Sequence, residues 1–227
     1  MMLEVRDLHA FYGKSHILQG VDLDVAAGEV VSLLGRNGVG RSTTVKAIMG
    51  EVAPQGTIRF KGKDIVGLPS YKIARLGLGY VPEHRDIFPS LTVRQNLLLG
   101  VKDTRRPGKW RLQDMLDMFP NLAARADTAA GVLSGGEKQM LTTCRTLMGD
   151  PDLIMIDEPT EGLGHEDVDR VTALIARMAV GRTVLMVEHN MRVVERIAQR
   201  ISVLRRGEII AEGSYDEVAR NPQVVEA

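Results

Sequence analysis

The sequence predicts an α/β fold: a mostly parallel sheet core, an antiparallel β subdomain at the N-terminus, and an α-helical subdomain inserted in the middle. Three observations predict it. Continuous apolar runs at Val30–Leu34, Leu153–Ile156 and Thr183–Val187 each lead into a helical stretch, the pattern of buried parallel strands joined by crossover helices. The first thirty residues instead alternate, with Leu3, Val5 and Leu8 and then Val21, Leu23 and Val25, the two-residue period of half-exposed antiparallel strands. Between Glu83 and Asp150 no buried-strand run occurs, while Val93–Leu99, Arg111–Phe119 and Gly136–Leu147 carry apolar residues at helical spacing.

A chain of 227 residues, 44% of them hydrophobic, can bury one large core. The expectation is a single domain spanning 1–227, with 1–83 and 151–227 forming the β and α/β core and 84–150 the helical subdomain. Arg105–Lys109, with Pro107 and Gly108, reads as an exposed loop of that lobe. Lys plus Arg and Asp plus Glu number 29 each, so the overall field that draws proteins to nucleic acid or anionic lipid is missing. The lone Cys144 cannot form an internal disulfide, which fits a reducing compartment. No apolar run approaches the ~18 residues of a membrane span, and no leader pattern opens the chain, so a soluble cytoplasmic protein is expected.

The segment Gly35-Arg36-Asn37-Gly38-Val39-Gly40-Arg41-Ser42-Thr43 follows the first buried strand and opens a helix. In GxxxxGK[ST] loops the glycines let backbone N–H groups close around phosphates, and the helix N-terminus adds partial positive charge. Here arginine stands in place of lysine. Ser42 would offer its hydroxyl to Mg²⁺ and Arg41 its charge to the terminal phosphates, but a planar five-donor fork on a longer stem cannot sit where an ammonium does. Binding is expected to persist while turnover falls.

Leu153-Ile154-Met155-Ile156-Asp157-Glu158-Pro159 runs from full burial into two acids at the edge where open α/β sheets hold ligands. Pro159 stops the strand. Asp157 is assigned to the metal and Glu158 to the general base that takes a proton from water; taken alone, the pair could equally be a solvated turn. In Leu133-Ser134-Gly135-Gly136-Glu137-Lys138-Gln139, Ser134 and Glu137 have capping-box spacing. Two glycines in a first helical turn cost up to ~1 kcal/mol each relative to alanine, so something must approach that backbone closely, and the tip reads as a second anion site.

Together these segments resemble the ATP-binding cassette of ABC transporters, over essentially the whole chain. The family's signature matches Leu133–Gln139, its Walker A loop Gly35–Thr43 except at Arg41, and its Walker B strand Leu153–Glu158. The resemblance implies a RecA-like P-loop NTPase core, ATP and Mg²⁺ as ligands, and ATP hydrolysis. It places the adenine-stacking aromatic on Tyr12, the γ-phosphate-sensing histidine on His189, and the D-loop on Glu161–Gly164. Nucleotide contacts are expected from Tyr12, Gly35, Asn37, Gly38, Gly40, Arg41, Ser42 and Thr43, with Glu158 and His189 catalytic. Ser42, Asp157 and Glu83 form the metal group, Glu83 standing where the wider family usually has glutamine.

The family pattern further implies that two cassettes associate head to tail, ATP on one being covered by Ser134, Gly135, Gly136 and Glu137 of the other. This chain carries one copy of each half-site, so a homodimer or a related partner cassette is required. The segment Tyr80–Val93, Met118–Leu122 and Gly136–Leu141 resemble the branched-chain amino acid importer branch; cassettes for urea, amides or other amino acids are similar. The implied partners are transmembrane permease subunits and a solute-binding protein, with the chain peripheral on the inner face of the cell membrane. No nucleic acid is implied.

Three other readings compete. DNA-repair ATPases and twin-cassette translation factors are disfavoured because Arg41 to Ser134 leaves no room for a long coiled coil and one cassette is present. A nucleotide-binding interaction module weakened by Arg41 stays open. A small-molecule kinase would need an acceptor pocket and lid where this chain has its signature segment.

Overall fold

The structure, a computed structural model, describes residues 1–103 and 108–225. The alternating start forms β1 (Leu3–Tyr12) and β2 (Ser15–Val25), an antiparallel hairpin with Leu3 opposite Val25 and Tyr12 opposite Ser15. Next come β3 (Val30–Leu34), α1 (Arg41–Ile48), β4 (Pro54–Phe60), β5 (Lys63–Asp64), α2 (Ser70–Arg75) and β6 (Leu78–Val81). Four helices and a 3₁₀ turn at Ala130–Val132 follow: α3 (Val93–Leu98), α4 (Leu112–Met118), α5 (Pro120–Ala123) and α6 (Gly135–Leu147). The chain then runs through β7 (Leu153–Asp157), α7 (His165–Ala179), β8 (Thr183–Val187), α8 (Met191–Ile197), β9 (Arg200–Arg205), β10 (Glu208–Gly213), α9 (Tyr215–Ala219) and α10 (Pro222–Val225). Of the expected loop at Arg105–Lys109, residues Arg105 to Pro107 lie outside the described residues.

Two sheets organise these elements. The antiparallel one has the order β2-β1-β4-β5, and the larger one β10-β9-β3-β8-β7-β6. In the larger sheet every pairing is parallel except that of β9 with β10. The fold class is therefore the α/β one expected, with its antiparallel β subdomain.

The continuous apolar runs have a direct cause. In β3, Val31 and Leu33 face a core shared with β1, β2 and α1, whereas Val30 and Leu34 face the core beneath the helices. Likewise Leu153 and Met155 of β7 point one way and Ile154 and Ile156 the other, and Leu185 and Val187 of β8 oppose Val184 and Met186. A sheet with a core on each side favours apolar residues at nearly every position, because successive side chains alternate faces; Ser32 is the polar exception in β3. Of the strands not read from sequence, β9 carries an equally buried run, Ile201–Leu204, and the others lack one. β6 is four residues long and contains Gly79, where a Cβ would stand 2.9 Å from the Thr146 side chain.

This topology positions the site. Leu33 of β3 and Asp157 of β7 both pair with Val187 of β8, so the segments leaving all three strands emerge at one carboxyl edge, where open α/β sheets bind ligands. Among the described residues no helix is long and apolar enough to cross a membrane.

Candidate functional site

The loop between β3 and α1 depends on two glycines. Gly35 has φ 151° and Gly40 φ 114°, conformations that side chains resist. A Cβ would come within 2.4 Å of the Leu204 carbonyl at Gly35 and 2.6 Å of Leu18 at Gly40. The loop therefore lies against β9 and β2 and turns its outer side to the open edge. There Tyr12, Asn37, Gly38, Gly40, Arg41, Ser42, Thr43, Glu83, Glu158 and His189 line a cavity of about 410 Å³, together with Ile17 and Glu161. Ten of the expected residues thus meet in one place.

Asp157 ends β7 in full burial. Its Oδ1 accepts a hydrogen bond from Ser42 Oγ at 2.9 Å and its Oδ2 one from the Tyr80 hydroxyl at 3.3 Å. Burial raises its pKa above the ordinary carboxylate range, and the charge of Glu83 adds to that; the Ser42 bond, Lys46 and the Tyr80 bond oppose it. Two carboxylates whose charges oppose one another suit a cation, whose charge would reverse the shift. Ser42, Asp157 and Glu83 supply hard oxygen donors, which fit Mg²⁺. Bound there, Mg²⁺ would neutralise phosphate charge. Glu158, Glu161 and His189 also bring ligand atoms within 4.8 Å of one another, but both oxygens of Glu158 are already engaged.

Glu158 has φ 47°, a left-handed conformation sparsely populated by residues other than glycine. Its N–H donates to Val187 O at 2.9 Å, which fixes this turn to the end of β8. The carboxylate is nearly buried. Its Oε1 lies 2.7 Å from Arg41 Nη2 and its Oε2 2.7 Å from His189 Nδ1. Burial raises its pKa, against the pull of the His189 hydrogen bond and the Arg41 charge. A carboxylate with raised proton affinity is what a general base requires. Burial lowers the His189 pKa, but the bond to Glu158 and the charges of Glu158, Glu188 and Glu161 outweigh it, and the net shift is upward. Its Nε2 stands 3.3 Å from Glu161.

The His189 backbone is held from beneath. Glu188, fully buried, accepts hydrogen bonds from the N–H groups of His189 and Asn190, each at 2.9 Å, and from Thr160 Oγ1 at 2.6 Å. Glu188 and Tyr80 were not identified as site residues from sequence. The adjacency of Glu188 to His189 at the end of a buried strand was the available signal.

Two groups of expected residues lie elsewhere. Gly35 lines a separate apolar cavity behind the loop. Ser134, Gly135, Gly136 and Glu137 do not line the strand-end cavity of their own chain. Ser134 caps α6 in a complete capping box, accepting from Glu137 N while Glu137 accepts from Ser134 N. At Gly136 a close approach comes from within the chain: a Cβ there would lie 2.3 Å from Asp167 Cγ in the first turn of α7. At Gly135 the neighbour is the Arg85 guanidinium, 2.8 Å from such a Cβ.

A family model described as ABC transporter matches residues 18–161, and one described as Branched-chain amino acid ATP-binding cassette transporter matches residues 208–227. The high-affinity branched-chain amino acid transport ATP-binding protein BraG of Pseudomonas aeruginosa is 37% identical, covering 100% of this chain and 98% of that protein. The Nod factor export ATP-binding protein I of Paraburkholderia xenovorans is 38% identical over 89% of this chain and 67% of its own length. A nucleotide-free ATP-binding cassette from an ABC transporter superposes with a TM-score of 0.84 at 26% identity, covering 99% of this chain and 97% of that one. A dimeric ATP-binding cassette in a post-hydrolysis state, bound to ADP and Pi, gives 0.81 at 25% identity over 94% and 98%.

Proposed function

The chain belongs to the ABC transporter ATP-binding cassette family, and on that premise we propose that it binds MgATP in the strand-end cavity and hydrolyses it in a head-to-tail dimer, as the ATP-binding subunit of an importer. One observation carries the reading: phosphate loop, Ser42–Asp157 and Glu158–His189 converge at a single sheet edge. Tyr12, half exposed at the rim, stacks on the base. The loop N–H groups and the N-terminus of α1 hold the phosphates, Ser42, Asp157 and Glu83 hold Mg²⁺, Glu158 takes the proton of the attacking water, and His189 orients the terminal phosphate. Ser134, exposed at the tip of α6 and absent from its own chain's cavity, closes the nucleotide of a second copy or a related cassette.

The transported solute we assign is a branched-chain amino acid. BraG and the match of residues 208–227 support it; related cargoes remain the alternative, since a cassette never touches its solute. A groove of about 550 Å³ between the core and the helical lobe exposes Tyr71, Phe88 and Leu99 beside Lys102 and Arg145. We assign it to permease subunits, which would keep the chain on the inner face of the cell membrane and receive solute from a solute-binding protein. Equilibrium binding of MgATP to the purified chain tests the core of the proposal: micromolar to millimolar binding, weakened by Asp157→Asn, is expected, and no binding at millimolar MgATP overturns it. Co-purification of the intact complex tests the rest, a branched-chain permease being the expected partner.

The Arg41–Glu158 ion pair favours a second reading, a nucleotide-binding module with weak turnover. Binding without measurable hydrolysis in the presence of the permease would select it.

A further inference from the structure

Arg41 is buried to 6% exposure against a Glu158 exposed by 7%, yet its guanidinium is only half used. Nη2 reaches both Glu158 Oε1 at 2.7 Å and Asn37 Oδ1 at 2.9 Å. Nη1 is buried with no hydrogen-bond partner, in a side chain that lines the strand-end cavity. A buried charged donor without an acceptor costs free energy, and its position beside the phosphate loop makes an anionic ligand the group that would satisfy it. Glu158 is in the opposite condition: Arg41 holds one oxygen and His189 the other, so an attacking water must compete with a donor at each.

We propose that Arg41 is a positioning residue that parks Glu158, and that the phosphate chain of an entering nucleotide releases the base by taking the guanidinium from it. This rests on the nucleotide reading above and deepens it. Nη1, the spare donor, takes up a phosphate oxygen as the guanidinium turns toward the cavity. A terminal phosphate carries nearly twice the charge of a carboxylate, so it draws Nη2 from Glu158 as well, and Oε1 opens while Oε2 stays on His189. Arginine suits this role because its fork holds two acceptors with one tip and presents the other. Lysine, one atom shorter and with a single tip, would bind phosphate while leaving the carboxylate loosely held.

Competition for one cation has a signature that simple repulsion lacks. Removing the Glu158 charge relieves its repulsion of phosphate in any background, but it also frees a cation only where Arg41 is present. MgADP affinity measured by titration calorimetry on the full chain, for wild type, Glu158→Gln, Arg41→Met and the double variant, separates the two. Glu158→Gln is expected to tighten MgADP about tenfold beside Arg41 and no more than about threefold beside methionine. Equal gains in the two backgrounds overturn the proposal while leaving the nucleotide reading intact; no binding in any of the proteins overturns both. Arg41→Gln runs alongside in case the methionine variant fails to fold. In a second readout, Arg41→Lys raises kcat severalfold with KM changed by less, because the base is released more readily; a kcat unchanged or lowered in that folded variant overturns the proposal.

Discussion

At the scale of single residues, the proposed chemistry rests on a buried carboxyl that takes no part in it. Glu188 connects Thr160, on the turn after β7, to the backbone of His189, on the turn after β8. It thereby holds the two ends of the Glu158–His189 contact in register, although those residues are far apart in sequence. Glu188→Ala would leave two part-buried N–H groups and a buried hydroxyl without acceptors, a loss of about 1 to 3 kcal/mol in urea unfolding. Glu188→Gln keeps a carbonyl oxygen for the N–H pair, and the Thr160 hydroxyl can turn to accept, so about 1 kcal/mol or less is expected. Equal losses in the two variants would mean that volume, not hydrogen bonding, matters there. Arg41, Glu158 and His189, which line one cavity, were all named from the sequence as candidates. Their contact with one another was not, because a motif fixes a residue's place at the strand edge but says nothing about which partner its side chain chooses.

At the scale of elements, α6 shows how one segment satisfies two demands. Ser134 and Glu137 close its first turn by the capping-box bonds the spacing predicts, and that much was readable locally. The reason for Gly136 was not, since it lies on α7: Asp167 leans into the space a side chain would occupy. Gly136→Ala should therefore separate the two helices and cost about 1 to 3 kcal/mol, despite alanine's higher helix propensity. Combining it with Asp167→Ala, which removes the nearest atoms, should recover part of that loss as non-additivity in a double-mutant cycle. Strict additivity would place the strain elsewhere. The same distinction explains which strands were readable. β3, β7 and β8 announce themselves because both faces are buried, whereas β10 has no buried residue and only a three-residue apolar stretch, Ile209–Ala211. Helices such as α4 and α6 were found from the spacing of Met115 and Leu116 and of Met140, Leu141, Cys144 and Leu147, all of them core residues.

At the scale of the molecule, the two sheets are tied by charge as well as by their shared core. Arg200 of β9 reaches Glu29 at 2.7 Å, Glu212 at 2.9 Å and the Asp24 carbonyl of β2. Burial alone would raise the Glu29 pKa, but the Arg200 hydrogen bond, the Ala26 N–H and the Arg200 charge bring it below the ordinary carboxylate value. A carboxylate depressed in the folded state adds stability that is present above its unfolded pKa and disappears as the pH falls through the folded one. Glu29→Gln should accordingly lower the Tm at pH 7 and flatten its decline below about pH 5; parallel wild-type and variant curves would show that the pair contributes nothing. The largest-scale expectation concerns two chains. On the proposed head-to-tail reading, Ser134, which lies outside its own strand-end cavity, closes the site of a second copy, with ATP as the ligand that would join them. Glu158→Gln retains the phosphate loop and the proposed metal group but lacks the proposed base, so MgATP should accumulate between two chains without being cleaved. Size-exclusion chromatography should then show a species of about twice the 24.9 kDa monomer with MgATP and the monomer with MgADP. Adding Ser134→Arg should abolish the dimer while sparing nucleotide binding in each chain. A monomer at all protein concentrations with saturating MgATP would remove the head-to-tail arrangement and leave each cassette to act alone.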